Sequence, residues 1–550
     1  MAIEIAVYSN SDDVFLAWRP DADIPSCLGF AIERKINGKV SVLENRVGFS
    51  SSPQRESMPS TEFPFQRLTW TDHEVGRGDR VSYRVRARVG TPDSLSDGPI
   101  SKWTNEIELT PIYGDVEAYF NRGIVLSQFI GKLMAKNKWK PSDLRPNAAE
   151  VGNRTREFLA GELRLALLSI LDEAINDKSI TLNAALFELT DAELLARLKL
   201  IGNRLNIVLA NGAVKAKDDD ENADARKLLK SAGANCIDRM SAPRFLAHNK
   251  FVVISRKGKP EAVWTGSANW QPTGLCTQAN NGILIRNASL AQTYLEAWTR
   301  ISLAGDNNRG DLVSGNTVSP PKVHTLKNKS YAFAQFTAAQ NNIDIHELLD
   351  LIAGAKQSLL FAMFMPGKDI FNAATARSKD IYVRGVVNTF PKADSTSVDV
   401  SLINSGKQKH NFSLDVIEPK GIDHAFSNWV EEITTRQFQA IGHAIIHSKM
   451  LVIDAFGENP TIVTGSHNFS NAASTKNDEN FLVISGNRAL AQAYAVNVFG
   501  LYDHYRWRNY VAQASKNGVN VWNHLSDDKN WLKSYSRDKD RTALLKVLGL

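Results

Sequence analysis

Two stretches of this 550-residue chain repeat one another without a gap, and the repeat limits its fold more than any other feature. His248-Asn-Lys-Phe-Val-Val-Ile-Ser255 leads to Thr265-Gly-Ser-Ala-Asn-Trp270, and His447-Ser-Lys-Met-Leu-Val-Ile-Asp454 leads to Thr464-Gly-Ser-His-Asn-Phe469. In each copy the asparagine stands 21 positions after the histidine, and a second asparagine, Asn281 or Asn480, follows 12 positions later. One His-x-Lys would carry no information. Two copies in register with GSxN imply two like halves in one chain.

The sequence around each copy alternates helical and strand-like periods. Gly161 to Asp177, Asp191 to Ile201 and Ala223 to Ala232 have helical spacing, while Thr181 to Leu189 and Leu205 to Leu209 read as buried strands. The order returns with Ile345 to Ala355 and Lys368 to Ser378 as helices, and Ser358 to Phe364 and Ile381 to Val387 as strands. The predicted fold class is therefore α/β, with helices covering a mostly parallel sheet in each half. Upstream, short alternating runs such as Val14 to Trp18, Gly29 to Glu33, Arg67 to Trp70 and Val81 to Val89 are separated by Pro, Gly, Asp and Ser clusters. They predict a small antiparallel β-sandwich. It resembles a fibronectin type III or immunoglobulin-like module, which would put Trp18 in the core and Tyr83 at the corner before a late strand. A polar, Pro-containing link near residue 320 separates the halves, so the expected domains are 1–111, 112–320 and 321–505, with a basic aromatic extension at 506–550.

An extended chain places His248 and Lys250 on one face and Asn249 on the other, with the apolar run behind them anchoring a strand. The Gly-Ser of each GSxN turn permits close backbone approach, and the asparagine amide can then donate to an anionic oxygen. One half offers a nucleophile or an acid. Two facing halves offer His248, Lys250, Asn269, His447, Lys449 and Asn468 around one phosphate. One histidine would attack phosphorus and the other would protonate the leaving oxygen, while lysines and asparagines stabilise the equatorial charge. No metal-ligand spacing accompanies the motifs, so no cofactor and no metal are expected, and activity should survive chelation.

These residues resemble the phospholipase D superfamily, with its paired HxKx4D and GSxN motifs, over roughly residues 113 to 505. The resemblance implies two similar α/β lobes about a pseudo-twofold axis, with the active site at their junction. Ser255 departs from the pattern where Asp454 keeps it, and the family aspartate is a supporting residue. Eleven residues after the GSxN asparagine stands Glu479 in the second copy but Asn280 in the first. By the resemblance these reach across to the opposite histidine, so that Glu479 would support His248 as nucleophile and leave His447 as the acid. Ser267 and Ser466 of the two turns are counted as supporting residues. Trp270 and Phe469 read as core, and His424 and His443, which lack counterparts, as surface or substrate-side residues.

The substrate is less constrained. Sixty-five Lys and Arg against 59 Asp and Glu give a net charge of +6, which suits anionic partners without choosing among them. From Phe187 to His248 is 61 residues but from Phe364 to His447 is 83, so the second half carries an insertion, placed within Pro391 to Ile441. Its Phe412, Phe426, Trp429 and Phe438 suit a lid for acyl chains or a wall for stacked bases. The aromatic and basic stretch Tyr502 to Arg508 reads as a packing helix. A phospholipid head-group phosphodiesterase is the leading expectation, a DNA or RNA nuclease the alternative, and a non-catalytic phosphate-binding adaptor a third. Two halves in one chain form an intramolecular pseudo-dimer, so a monomer is expected. Cys27, Cys236 and Cys276 lack disulfide or metal spacing. With neither a secretion signal nor a membrane-spanning run, the expected location is cytoplasmic or reached by export without a cleaved signal, any membrane contact being peripheral.

Overall fold

The computed structural model of the chain describes residues 1–51, 57–123, 141–212, 219–241, 245–306, 310–388, 391, 415–417, 446–516 and 524–550. The alternating N-terminal runs form two antiparallel sheets. Ile3–Ser9, Val14–Pro20 and Thr69–Asp72 make one, while Cys27–Ile36 and Arg80–Thr91 form the centre of the other. Trp18 and Phe30 are fully buried between them, with ring centroids 5.8 Å apart. Tyr83 differs from the expected corner residue. It lies within Arg80–Thr91, and its hydroxyl donates to Asp72 Oδ2 at 2.9 Å, a carboxylate that Arg34 also binds at 2.9 Å. The tyrosine thus ties one sheet to the other through a buried polar contact and not through a backbone corner.

Each half of the repeat builds an eight-stranded sheet of the same strand order. In the first the central strands run Asn281–Ile285, Lys259–Gly266, Lys250–Arg256, Ile180–Leu186, Leu205–Ala210 and Asn235–Arg239; in the second they run Asn480–Ser485, Thr461–Gly465, Lys449–Ile453, Ser358–Met363, Tyr382–Val387 and Asp415–Ile417. The sheets are mixed, which corrects the mostly parallel expectation. Only the last three strands of each pair in parallel, and the His-x-Lys strand lies antiparallel to both neighbours. The reason is local: Lys257 and Gly258 turn the Lys250–Arg256 strand straight back into Lys259–Gly266, a hairpin that allows no parallel crossover. The helical stretch Arg154–Asn176 is broken at Gly161, whose φ of 49° and ψ of −146° are not helical: the Asn153 side chain caps the first piece by accepting from Thr155 N, and the second piece follows the break, as the periodicity from Gly161 to Asp177 suggests.

The two sheets meet along a seam closed by the trailing asparagines. Asn281 Nδ2 donates to Thr464 Oγ1 at 2.6 Å and to Tyr494 at 3.2 Å, while Asn480 Oδ1 accepts from Thr265 at 2.9 Å and from Tyr294 at 3.2 Å. Asn480 Nδ2 also reaches Asn249 Oδ1 at 2.8 Å, and Arg239 forms a buried 2.7 Å ion pair with Asp478. Tyr294 packs on Phe336 and Phe120 on Tyr494, at 5.0 and 5.1 Å. A crosswise polar seam of this kind fixes register, since a shift would strand several buried amides at once.

The N-terminal unit and the end of the chain close over each other. Phe15 stacks on Phe499 of the helix Arg488–Lys516 at 4.7 Å, Trp531 Nε1 donates to the Cys27 carbonyl, and the Tyr8 hydroxyl donates to the Leu548 carbonyl. Near this contact Asp12 is buried, 3.8 Å from Arg122. Burial first, and Asp13 second, push its carboxyl up to about 7. A raised carboxyl destabilises the fold once it must ionise, so the cost is absent at pH 4 and full above pH 7. Asp12→Asn should therefore raise the thermal midpoint at pH 8, by a gain of about 1–4 kcal/mol, and the gain should vanish toward pH 4 in thermal scans.

Cys27, Cys236 and Cys276 are free thiols. Among the described residues no helix is long and apolar enough to cross a membrane. The insertion placed at Pro391 to Ile441, apart from Pro391 and the strand Asp415–Ile417, lies outside the described residues, as do His424, His443 and the side chains of Trp507 and Arg508.

Candidate functional site

His248 and Lys250 stand at the start of the strand Lys250–Arg256, and His447 and Lys449 at the start of Lys449–Ile453, so the matching sheets deliver both pairs to the seam. All four side chains are buried. The two pairs are built alike. Lys250 Nζ donates to the His248 carbonyl at 2.8 Å and lies 4.9 Å from the centre of the Phe187 ring, against which His248 also packs; Lys449 Nζ donates to the His447 carbonyl at 2.6 Å and lies 4.9 Å from Phe364, against which His447 packs. Each backbone bond and ring face fixes an ammonium beside its imidazole.

The GSxN turns are equally matched. A Cβ on Gly266 would lie 2.4 Å from the Asn281 carbonyl oxygen, and one on Gly465 2.4 Å from that of Asn480, so only glycine permits the approach. Ser267 and Ser466 then pin the turn: their hydroxyls accept from Asn281 N and Asn480 N, both at 3.0 Å. Beyond these turns each asparagine is held by a carboxylate of its own lobe, the Asn269 amide donating to Glu188 and the Asn468 backbone N donating to Glu479 Oε2 at 3.0 Å. Trp270 and Phe469 are buried in the core.

The halves exchange partners at their histidines. Glu479 Oε1 of the second half lies 3.2 Å from His248 Nδ1, and Asn280 Oδ1 of the first half lies 3.0 Å from His447 Nδ1. Asn280 is itself held by Ser267 at 2.7 Å and Glu479 by Asn477 at 2.8 Å. The segments that cross are clamped by backbone as well, with His447 N donating to Ala279 O and Asp478 N to Leu246 O. Both imidazoles thus turn Nδ1 toward the opposite lobe, His447 in a hydrogen bond to Asn280 and His248 beside the Glu479 carboxylate, which leaves each Nε2 for chemistry.

Burial dominates the electrostatics. It pushes His248 down to about 4, aided by Lys250, and it holds His447 well below the ordinary value, aided by Lys449. Glu479 is held down to about 2 against its burial by His248. The Lys449 ammonium is lowered by burial and by Lys250. Before an anion enters, burial disfavours a proton on either histidine, while Glu479 is held on the ionised side.

Asp454 plays a different part from the reacting groups. Its carboxylate accepts from Lys356 N, Gln357 N and Ser358 N at 2.6–3.1 Å, tying down the start of the strand Ser358–Met363 at the end remote from His447. Ser255 has no such role. In the first lobe Asp177 takes over in part, accepting from Ser179 N at 2.8 Å just ahead of the strand Ile180–Leu186.

One residue at the site escapes the motif reading. Glu188 follows Phe187 at the end of the first-lobe strand, is buried, and its Oε2 accepts from both Asn269 Nδ2 and Gln271 Nε2. Burial raises its carboxyl to about 7 against the pull of Lys250 and Lys449. The one available signal was a charge closing an otherwise apolar run, Ala184-Ala-Leu-Phe-Glu188, next to an aligned aromatic. Among the described residues no group of three or more His, Cys, Asp or Glu side chains is placed to hold a metal ion.

The sequence model of the family described as "Cardiolipin synthase, PLD-like domain" matches residues 167–301 and 348–500, more than half of the chain. The chain belongs to this phospholipase D-like family. Its matched segments carry both His-x-Lys and both GSxN motifs. A search of curated proteins gives no match. Among solved structures, the chain is similar to phosphatidylserine synthase from Haemophilus influenzae Rd KW20, with 13% identity and a TM-score of 0.41, covering 70% of this chain and 93% of that one. It is also similar to Nuc, a phospholipase D family member from Salmonella typhimurium, with 22% identity and a TM-score of 0.22, covering 32% and 95%. Polyphosphate kinase from Porphyromonas gingivalis is similar at 10% identity and a TM-score of 0.37; there the match covers 58% of this chain and 45% of that one, less than half of the kinase.

Proposed function

We propose that the chain is a metal-independent phosphodiesterase that hydrolyses or exchanges the head group of a phospholipid through a phosphohistidine. The observation that carries this reading is the crosswise pair of contacts, Glu479 to His248 and Asn280 to His447, which makes one pocket of two half-sites. His248 Nε2 attacks phosphorus, and the bond to the leaving oxygen breaks as His447 Nε2 gives it a proton. Water, or an alcohol in a transfer reaction, then loses a proton to His447 and attacks phosphorus, and the P–N bond breaks to restore His248. The phosphodiester anion, entering between Lys250 and Lys449, supplies the negative charge that lets a buried imidazole hold the proton. Asn269 and Asn468 donate to the equatorial oxygens.

The carboxylate of Glu479 favours His248 as nucleophile, because phosphorylation at Nε2 leaves a positive ring whose charge Glu479 faces. His447 meets only a neutral amide and releases its proton more readily. The phospholipid reading draws on the family's description, which names cardiolipin synthase. The test is one purified sample in EDTA, given phosphatidylcholine vesicles and plasmid DNA. Head-group release without nicking is expected. Nicking without head-group release would make it a nuclease, and neither activity would leave a phosphate-binding adaptor.

A further inference from the structure

The two side chains that reach across to the opposite histidine are themselves held from matching places in the two sheets. Val116–Phe120 lies antiparallel to Asn281–Ile285 with Phe120 opposite Asn281, and Tyr331–Phe336 lies antiparallel to Asn480–Ser485 with Phe336 opposite Asn480. One position beyond each pairing stand Asn121 and Thr337, both buried and both outside the repeated motifs. Asn121 N donates to the Asn280 carbonyl at 3.3 Å, and Thr337 N to that of Glu479 at 2.9 Å.

Their side chains hold the same two segments. Asn121 Oδ1 accepts from Asn280 N at 2.7 Å, and its Nδ2 donates to the carbonyls of Leu275 at 2.7 Å and Gln278 at 2.6 Å. The Asn280 amide is fixed in turn, since its Nδ2 donates to Gly274 O at 2.8 Å. That turns Oδ1, an acceptor, toward His447 Nδ1, so the neutral ring carries its proton on Nδ1 and keeps Nε2 bare to take up and return another. In the other half the Thr337 hydroxyl accepts from Glu479 N at 3.2 Å and donates to Asn477 O at 3.1 Å. Asn477 Nδ2 donates to Glu479 Oε1, so the hydroxyl braces the whole turn that presents the carboxylate to His248.

Attack and proton transfer both depend on ring placement, where about 1 Å of error costs about 10²-fold. Each clamp acts on a residue whose histidine belongs to the other lobe. Resting on the two-histidine reading above, we propose that Asn121 and Thr337 are positioning residues that act crosswise: Asn121 of the first lobe sets the proton-transferring His447 through Asn280, and Thr337 of the second lobe sets the attacking His248 through Glu479.

The test compares single-turnover release from bis(4-nitrophenyl) phosphate and from diphenyl phosphate, with the chain in excess. Nitrophenolate leaves without a proton, whereas the phenol oxygen needs one, so His447 counts on the second substrate while His248 counts on both. Thr337→Val keeps the shape of the side chain without its hydroxyl. It should slow both releases by about tenfold, and Thr337→Ser should retain most of the rate. Asn121→Ala should slow phenol release by about tenfold and nitrophenolate release far less; if thermal scans show that it does not fold, Asn121→Ser is held to the same pattern. In an Asn280→Ala background, Asn121→Ala should cost little more, because the group it places is gone. Equal leaving-group dependence in the two variants, the reverse pattern, unchanged rates, or full additivity of Asn121→Ala with Asn280→Ala would overturn the inference and leave the two-histidine reading intact. A wild-type chain that releases neither product would overturn that reading, and the inference with it.

Discussion

His248→Ala should abolish hydrolysis of bis(4-nitrophenyl) phosphate, and His447→Ala should stop it after a single turnover. The first variant lacks the atom that bonds to phosphorus, so neither steady turnover nor a covalent intermediate should form, with a fall of about 10⁴-fold or more in kcat. The second keeps the nucleophile. Because 4-nitrophenolate leaves without a proton donor, His447→Ala should release about one equivalent of nitrophenolate per chain and then stall. The stalled protein should carry an acid-labile 4-nitrophenyl phosphoryl group on His248. Substrates with poor leaving groups, such as phospholipids, should give no burst in this variant, because the missing proton is then needed at the first step. A burst and trapped phosphate in His248→Ala, with none in His447→Ala, would exchange the two roles. Full turnover in either variant would end the two-histidine mechanism.

How much of this was legible in the sequence depends on what kind of information each feature carries. The repeat was legible because equal spacing survives in one dimension, and it led to the paired sheets. Strand identity was legible too, since apolar runs such as Ser358 to Phe364 name strands. Strand direction was not. The alternation of helices and strands suggested parallel sheets, but the turn at Lys257-Gly258 that reverses the His-x-Lys strand is a local matter that hydrophobic period does not report. Tyr83 shows a similar limit: the sequence indicates a buried aromatic, but its partner Asp72 is fixed by how two sheets stack. Glu188 was missed because a glutamate that closes a strand usually faces water, and only the turn at Asn269 and Gln271, some 80 residues away, buries it. Asp454, read from the family pattern as a supporting residue, proves to act on backbone amides at the far end of its lobe.

Glu479→Gln should slow phosphoenzyme formation far more than Asn280→Ala slows it, and this difference tests whether the halves divide the labour. Both side chains contact Nδ1 of the opposite histidine, at 3.2 and 3.0 Å, so both orient a ring. Only Glu479 is charged, held down to about 2 although it is buried. As His248 bonds to phosphorus its ring becomes cationic in a site that excludes water, where a facing carboxylate counts for more than at a surface. Loss of that charge should cost about 10²–10³-fold in the burst rate with bis(4-nitrophenyl) phosphate, or about 3–4 kcal/mol of barrier. Asn280 supports a ring that must hold and release a proton, and Ser267 stays in place to fix the turn, so Asn280→Ala should cost about tenfold in the burst. With a poor leaving group, where His447 must act at once, the Asn280 effect should grow. The converse change, Asn280→Asp, should stabilise a proton on His447 and slow its release, shifting the acid limb of the kcat profile to higher pH. Equal effects of Glu479→Gln and Asn280→Ala on the burst would mean that the two lobes are chemically interchangeable, and that the asymmetry of their partners has no part in deciding which histidine attacks.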